Sequence, residues 1–136
     1  MDNGWVGWPW RVLVIGDDEA IRDLVEAILE LDPRFDLVGT AATGAAAVDM
    51  STALRPEVVI FDLQTGGSDW AAVLRAIRRR LPEANMVVMS AIPDPYTLLE
   101  VVSLGADAYL DEANAFAELV PTLVAVCDAQ PQSRVA

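Results

Sequence analysis

The 136 residues contain no lysine, no histidine and a single cysteine. All nine basic residues are therefore arginine. One cysteine, Cys127, rules out an internal disulfide and reads as a small buried apolar residue near the C-terminus. No apolar run reaches the roughly 20 residues of a transmembrane helix. The opening "MDNGWVGWPW" lacks the basic start and long apolar stretch of a signal peptide. Positive charge is scarce, with 9 bases against 21 acids and a formal net charge of -12. Such a surface repels phosphate backbones and anionic membranes, which argues against nucleic-acid binding by this chain itself and against a membrane role. The chain reads as cytoplasmic.

What remains is a packed α/β chain. Its length suits one domain, and an apolar fraction of 54% fits a globular core. Short apolar runs alternate with helical stretches. "RVLVI" is continuously apolar, as a strand buried on both faces must be. Ile21, Leu24, Val25, Ile28 and Leu29 follow at helical spacing, and Pro33 ends that helix. "FDLVGTA" reads as a weaker strand, and "TGAAAVDMSTAL" as a helix stopped by Pro56. "EVVIF" is a second fully apolar strand, ending at Asp62. The next helix carries Trp70, Val73, Leu74, Ile77 and Leu81 on one face, with Asp69 as its N-cap. Arg78, Arg79 and Arg80 fall in its last turn, complement the dipole and read as a solvated helix end. "NMVVMSA" is a strand, "PYTLLEVVSLG" a helix ended by Gly105, and "AYL" a short strand. "NAFAELVPTLVAVC" is a last helix with Pro121 awkwardly inside it.

Five strand–helix units imply a parallel sheet covered on both faces. Functional loops in such sheets lie beyond the carboxyl ends of the strands, where strand order reverses. Those ends carry Gly16-Asp17-Asp18, Asp62, Ser90-Ala91 and Asp111-Glu112. Converging carboxylates and a hydroxyl suit a hard cation such as Mg²⁺.

The stretches "RVLVIGDDEAIRDLVEAIL", "RPEVVIFDLQTGGSDW", "MVVMSA" and "LGADAYL", in that order and spacing, resemble the receiver domain of bacterial two-component response regulators. The likeness covers Arg11 to Asp128 and is greatest to receivers of LuxR/NarL-type regulators. It implies a flavodoxin-like (βα)5 doubly wound fold with strand order 2-1-3-4-5. It implies Asp62 as the residue that accepts a phosphoryl group from a histidine kinase. It implies Ser90 and Tyr109 as the switch residues, and Mg²⁺ held by Asp17, Asp62 and the backbone carbonyl of Gln64. The dimerisation and signalling face of the family is its fourth helix, fifth strand and fifth helix. Here that face would include Leu98, Val101, Val102 and Tyr109, whether for a second copy or for a protein partner. A thoroughly buried fourth helix is the equal alternative.

Two family positions are lost. A gap-free alignment puts Gly16 where the first acid of the metal pair belongs and leaves Asp17 as the second. Shifting by one residue would restore the pair as Asp17-Asp18, but needs an insertion at the strand end. Asp17 is otherwise the N-cap of the first helix. Glu112 stands where the family has a lysine that pairs with the phosphoryl oxygens, and the nearest arginines in sequence are far away. A carboxylate there repels a phosphoryl group. The loop "LQTGGSDW" also lacks the usual proline, and Gly66-Gly67 loosens it.

These losses favour an atypical receiver with weak Mg²⁺ binding and weakened or lost phosphorylation, acting as a regulatory interaction module. The orthodox phosphorylation switch is the alternative. A haloacid-dehalogenase-type phosphatase is remote: "DLQT" has Gln64 for the second acid, lies on the wrong strand and lacks the family lysine. The chain divides into a Trp-rich segment (1–10), the receiver (11–128) and a tail or linker (129–136). It is expected to be either a stand-alone receiver or the regulatory half of a DNA-binding transcription regulator. Trp5, Trp8 and Trp10 are expected against the sheet edge or a partner.

Overall fold

Apolar runs with no polar alternation can be satisfied only where both faces of a strand are covered. The computed structural model, which describes residues 7–64 and 67–129, builds its sheet from them. The elements are β1 (Trp10–Ile15), α1 (Glu19–Glu30), β2 (Phe35–Ala41), α2 (Gly44–Leu54), β3 (Val58–Asp62), α3 (Trp70–Arg80), β4 (Asn85–Ser90), α4 (Pro95–Ser103), β5 (Ala108–Asp111) and α5 (Ala115–Asp128). The five strands form one sheet of order β2-β1-β3-β4-β5, every pair parallel. This is the doubly wound flavodoxin-like arrangement that the resemblance implied.

The pleat sends alternate residues to opposite faces. Val12, Val14, Ile60, Val87 and Met89 pack with Val25, Leu29, Leu119 and Leu123 of α1 and α5. Leu13, Ile15, Val59, Phe61 and Val88 pack with Leu74, Ile77 and Val101 of α3 and α4. Burying side chains of this size stabilises by roughly 1.5–3 kcal/mol each, so the two layers lock the strand ends in place.

Several local expectations change. The first strand starts at Trp10, which is buried in the core that holds Phe35 and Cys127. Trp8 is exposed, and Trp5 and residues 130–136 lie outside the described residues. Asp69 stands at the start of α3, but its side chain makes no capping hydrogen bond. Pro121 sits inside α5 on an exposed position, where water can serve the carbonyl it frees at Ala117.

Arg78 is a tether rather than a solvated helix end. Its guanidinium donates to the carbonyls of Leu81 (3.1 Å), Ala84 (2.7 Å) and Gly105 (2.5 Å), and meets Asp107 at 3.4 Å. Gly105 has a φ of 103° and closes α4: its N–H donates to Val102 O and that of Ala106 to Val101 O, both at 3.0 Å. That is a Schellman ending, which requires a left-handed residue at this point. Arg79 and Arg80 are exposed, as expected.

Candidate functional site

The strand ladders bring the predicted residues to one edge. Ile15 pairs with Phe61, Asp62 with Met89, and Ser90 with Asp111. The carboxyl ends of β1, β3, β4 and β5 thus stand side by side, with Asp62 between Gly16 and Ser90.

Asp62 is 2% exposed. Its Oδ1 accepts the Gln64 N–H at 3.0 Å, whereas Oδ2 is buried with no hydrogen-bond partner. Burial pushes its pKa above the ordinary carboxylate value; the Gln64 hydrogen bond opposes this, and the charges of Asp17 and Asp18 add to it. Ser90 is buried, and its Oγ accepts the Ile92 N–H at 3.2 Å. Tyr109 is half-buried against the α3–α4 layer, with its hydroxyl buried and unpartnered.

Gly16 closes β1 in regular register. β1 runs in unbroken register with β3 from Val12 to Ile15, and Gly16 N continues the ladder to Ala41 O at 2.9 Å. The one irregularity in the β1–β2 ladder places Val38 as an extra residue in β2. The end of β1 is thus regular, in keeping with the gap-free reading of Gly16. A Cβ on Gly16 would lie 3.5 Å from Asp62 Cβ and 3.6 Å from Oδ2, so Gly16 directly borders the unpartnered oxygen.

Asp17 and Asp18 are both exposed. The N-cap of α1 is Asp18, not Asp17: its Oδ1 accepts the Ala20 N–H at 2.9 Å. The Gln64 carbonyl accepts the Gly67 N–H at 3.3 Å in the turn after β3.

One cation was missed in the sequence. Arg22, in the first turns of α1, folds back so that Nη1 donates to the Gly16 carbonyl at 2.6 Å. Six residues of loop and helix turn suffice to return the chain to its starting edge, which the reading of distant arginines overlooked. Arg22 makes no ion pair within 4.0 Å: among the described residues the ion pairs are Arg34–Asp32 and Arg78–Asp107.

The donors at this edge differ from a simple carboxylate pair. Gly16 contributes no carboxylate, a guanidinium sits on its carbonyl, and no group of three metal-ligating side chains occurs among the described residues.

Glu112 opens the short 3-10 turn Glu112–Asn114 just past β5 and is half-buried. Its Oε2 is buried without a partner. Burial raises its pKa, and the charges of Asp62, Asp18 and Asp111 raise it further. Glu112 thus adds a second carboxylate to the same edge.

The interaction face needs one correction. Val101 is 0% exposed and belongs to the core, because α4 turns it toward the sheet. Leu98 and Val102 are exposed, and Leu99 is more so at 69%. Exposed Ile92, Tyr96 and Phe116 enlarge the apolar surface and were not singled out in the sequence.

Known proteins share this frame. The family model for the response regulator receiver domain matches residues 12–123. The transcriptional regulatory protein LiaR of Bacillus subtilis is 30% identical over 128 residues, 93% of this chain and 61% of that protein. The nitrate/nitrite response regulator protein NarP of Escherichia coli is 30% identical over 102 residues, 75% of this chain and 47% of that protein. The signal receiver domain of NarL from Mycobacterium tuberculosis superposes with a TM-score of 0.78 at 30% identity, covering 86% of this chain and 94% of that one. The chain spans less than two thirds of the length of both curated relatives. A strand order, a strand-end aspartate and a family match that agree over the same residues lead to one conclusion: the chain belongs to the response regulator receiver domain family of two-component signalling.

Proposed function

We propose that this receiver works as a phosphorylation-independent interaction module, its response at Asp62 weakened or lost. The observation that supports this is Glu112, whose Oε2 is buried without a partner, at the position the receiver resemblance gives to a lysine. A hydrogen bond to a charged group is typically worth about 1.5–3 kcal/mol. Replacing it by a like charge removes that gain and adds repulsion. A modification shifts a conformational equilibrium only by its differential interaction with the two states. Without the cation, the rearrangement of Ser90 and Tyr109 loses its main drive. The poor donor set supports weak Mg²⁺ binding.

Output then runs through the exposed surface of α4, β5 and α5, around Leu98, Leu99, Val102 and Phe116, to a second copy or a protein partner. Like its named relatives, the chain would serve transcription regulation in the cytoplasm, with DNA contacted by a different domain.

The orthodox switch, fed by a histidine kinase, has one observation in its favour: Asp62 Oδ2 is unpartnered, with no side chain at Gly16 to cover it. Incubation with acetyl phosphate and Mg²⁺, followed by amide NMR, separates the two readings. We expect no shifts beyond the immediate neighbours of Asp62. Shifts spreading along β4 and β5 support the orthodox switch instead.

A further inference from the structure

Arg22 turns to the strand edge although its own helix offers it other partners. Asp18, Glu19 and Glu26 lie four residues before it, three before it and four after it, the spacings at which side chains meet on one helix face. Among the described residues it forms no ion pair with any of them. Its Nη1 instead donates to the Gly16 carbonyl at 2.6 Å, and the residue is half-buried there.

Gly16 links this arginine to Asp62. The point where a Gly16 Cβ would lie is 3.7 Å from Arg22 Cγ and 3.6 Å from Asp62 Oδ2. A side chain at position 16 would therefore start in a space that both residues border. Glycine leaves that space without a carboxylate, and the carbonyl that position 16 does offer is already bonded to the guanidinium.

We propose that Arg22 sets the cation preference of this edge, its fixed positive charge disfavouring a divalent metal beside Asp62. The proposal rests on the weak-Mg²⁺ part of the reading above and names the residue responsible. A guanidinium is always charged and has donors but no acceptor, so it cannot ligate a metal. Mg²⁺ needs closely placed oxygen ligands and gives up its waters reluctantly. A second cation brought near a half-buried charge is repelled, and salt screens the pair less than it would at an open surface. The glycine and the arginine thus act in one direction. The first withholds an attractive charge, and the second adds a repulsive one.

The test uses the full chain with Mg²⁺ as the added ligand, followed by amide NMR at Asp17, Asp62 and Gln64. The wild-type chain is compared with Arg22→Gln, which removes the charge and keeps an N–H donor, and with Arg22→Lys, which keeps the charge. Urea unfolding of each chain separates affinity from stability. Arg22→Gln should bind Mg²⁺ on the order of tenfold tighter than the wild type. Arg22→Lys should bind as weakly as the wild type. Adding Arg22→Gln to Gly16→Asp should tighten binding beyond Gly16→Asp alone. Equally weak binding by the wild type and Arg22→Gln overturns this inference and leaves the weak-metal reading standing. Arg22→Lys binding as tightly as Arg22→Gln also overturns it, because charge would then not be the cause. Wild-type saturation below a millimolar overturns the weak-metal reading and this inference with it.

Discussion

The charge of buried Asp62, at the end of β3, acts on half-buried Glu112, just past the end of β5. Burial and then the charge of Asp62 push the Glu112 carboxyl above its ordinary value. Burial also pushes Asp62 up, and neither Asp62 Oδ2 nor Glu112 Oε2 has a hydrogen-bond partner.

The pair makes stability pH-dependent. A carboxyl whose folded pKa exceeds its unfolded value holds its proton better in the folded state. Its contribution is complete below the unfolded pKa and is lost as pH rises through the folded one. The contribution of these two groups should therefore fall as pH rises from the ordinary carboxylate range toward neutrality, whereas Asp32 and Asp94, whose carboxyls lie below the ordinary value, work the other way. Asp62→Asn should stabilise at neutral pH by on the order of 1 kcal/mol, and its advantage should shrink on acidification. An advantage that grows on acidification contradicts this assignment.

Glu112→Gln should also stabilise at neutral pH. Either substitution removes the mutual repulsion, so the double variant should gain less than the sum of the single ones. Strict additivity in a double-mutant cycle would mean that the two groups do not interact.

Restoring the family acid is sterically open. A Cβ at Gly16 meets only ordinary contacts, at 3.5–3.7 Å from Asp62 and Arg22. Gly16→Asp should bind Mg²⁺ measurably tighter than the wild-type chain in a fluorescence or NMR titration. It should also destabilise the metal-free protein by about 1 kcal/mol, since it adds a like charge beside Asp62. Equal affinities would show that Gly16 is not what limits metal binding.

Most of the fold was legible because a sheet buried on both faces demands uninterrupted apolar runs. The segments around Val12, Ile60 and Val87 had no other plausible environment. What stayed hidden was phase and reach. In Leu98 to Leu104 only Glu100 and Ser103 are polar, too few to set the phase of the helix, so Val101 and Val102 could not be told apart, although α4 buries the first and exposes the second. Arg22 and Arg78 act through long side chains onto distant carbonyls, and spacing along the chain does not encode such contacts. The acid edge itself was readable, because each strand end was. The unpartnered oxygens were not, because they depend on how neighbouring strands align.

Arg78 offers a direct check on the packing. Arg78→Ala removes the donors to Ala84 and Gly105 and the contact with Asp107. The cost should be roughly 2–3 kcal/mol in urea unfolding, and Arg78→Lys should recover little because one ammonium cannot span those carbonyls. Unchanged stability would show that the tether is idle.

The most direct test of the central claim is the amide spectrum with and without beryllofluoride and Mg²⁺, taken for the wild-type chain and for the Gly16→Asp/Glu112→Lys double variant. The account predicts a wild-type spectrum essentially unchanged at Tyr109 and along α4. It predicts a response in the double variant that Asp62→Ala abolishes. Widespread wild-type shifts reaching Tyr109 would contradict it and show that the domain still switches on a phosphoryl mimic.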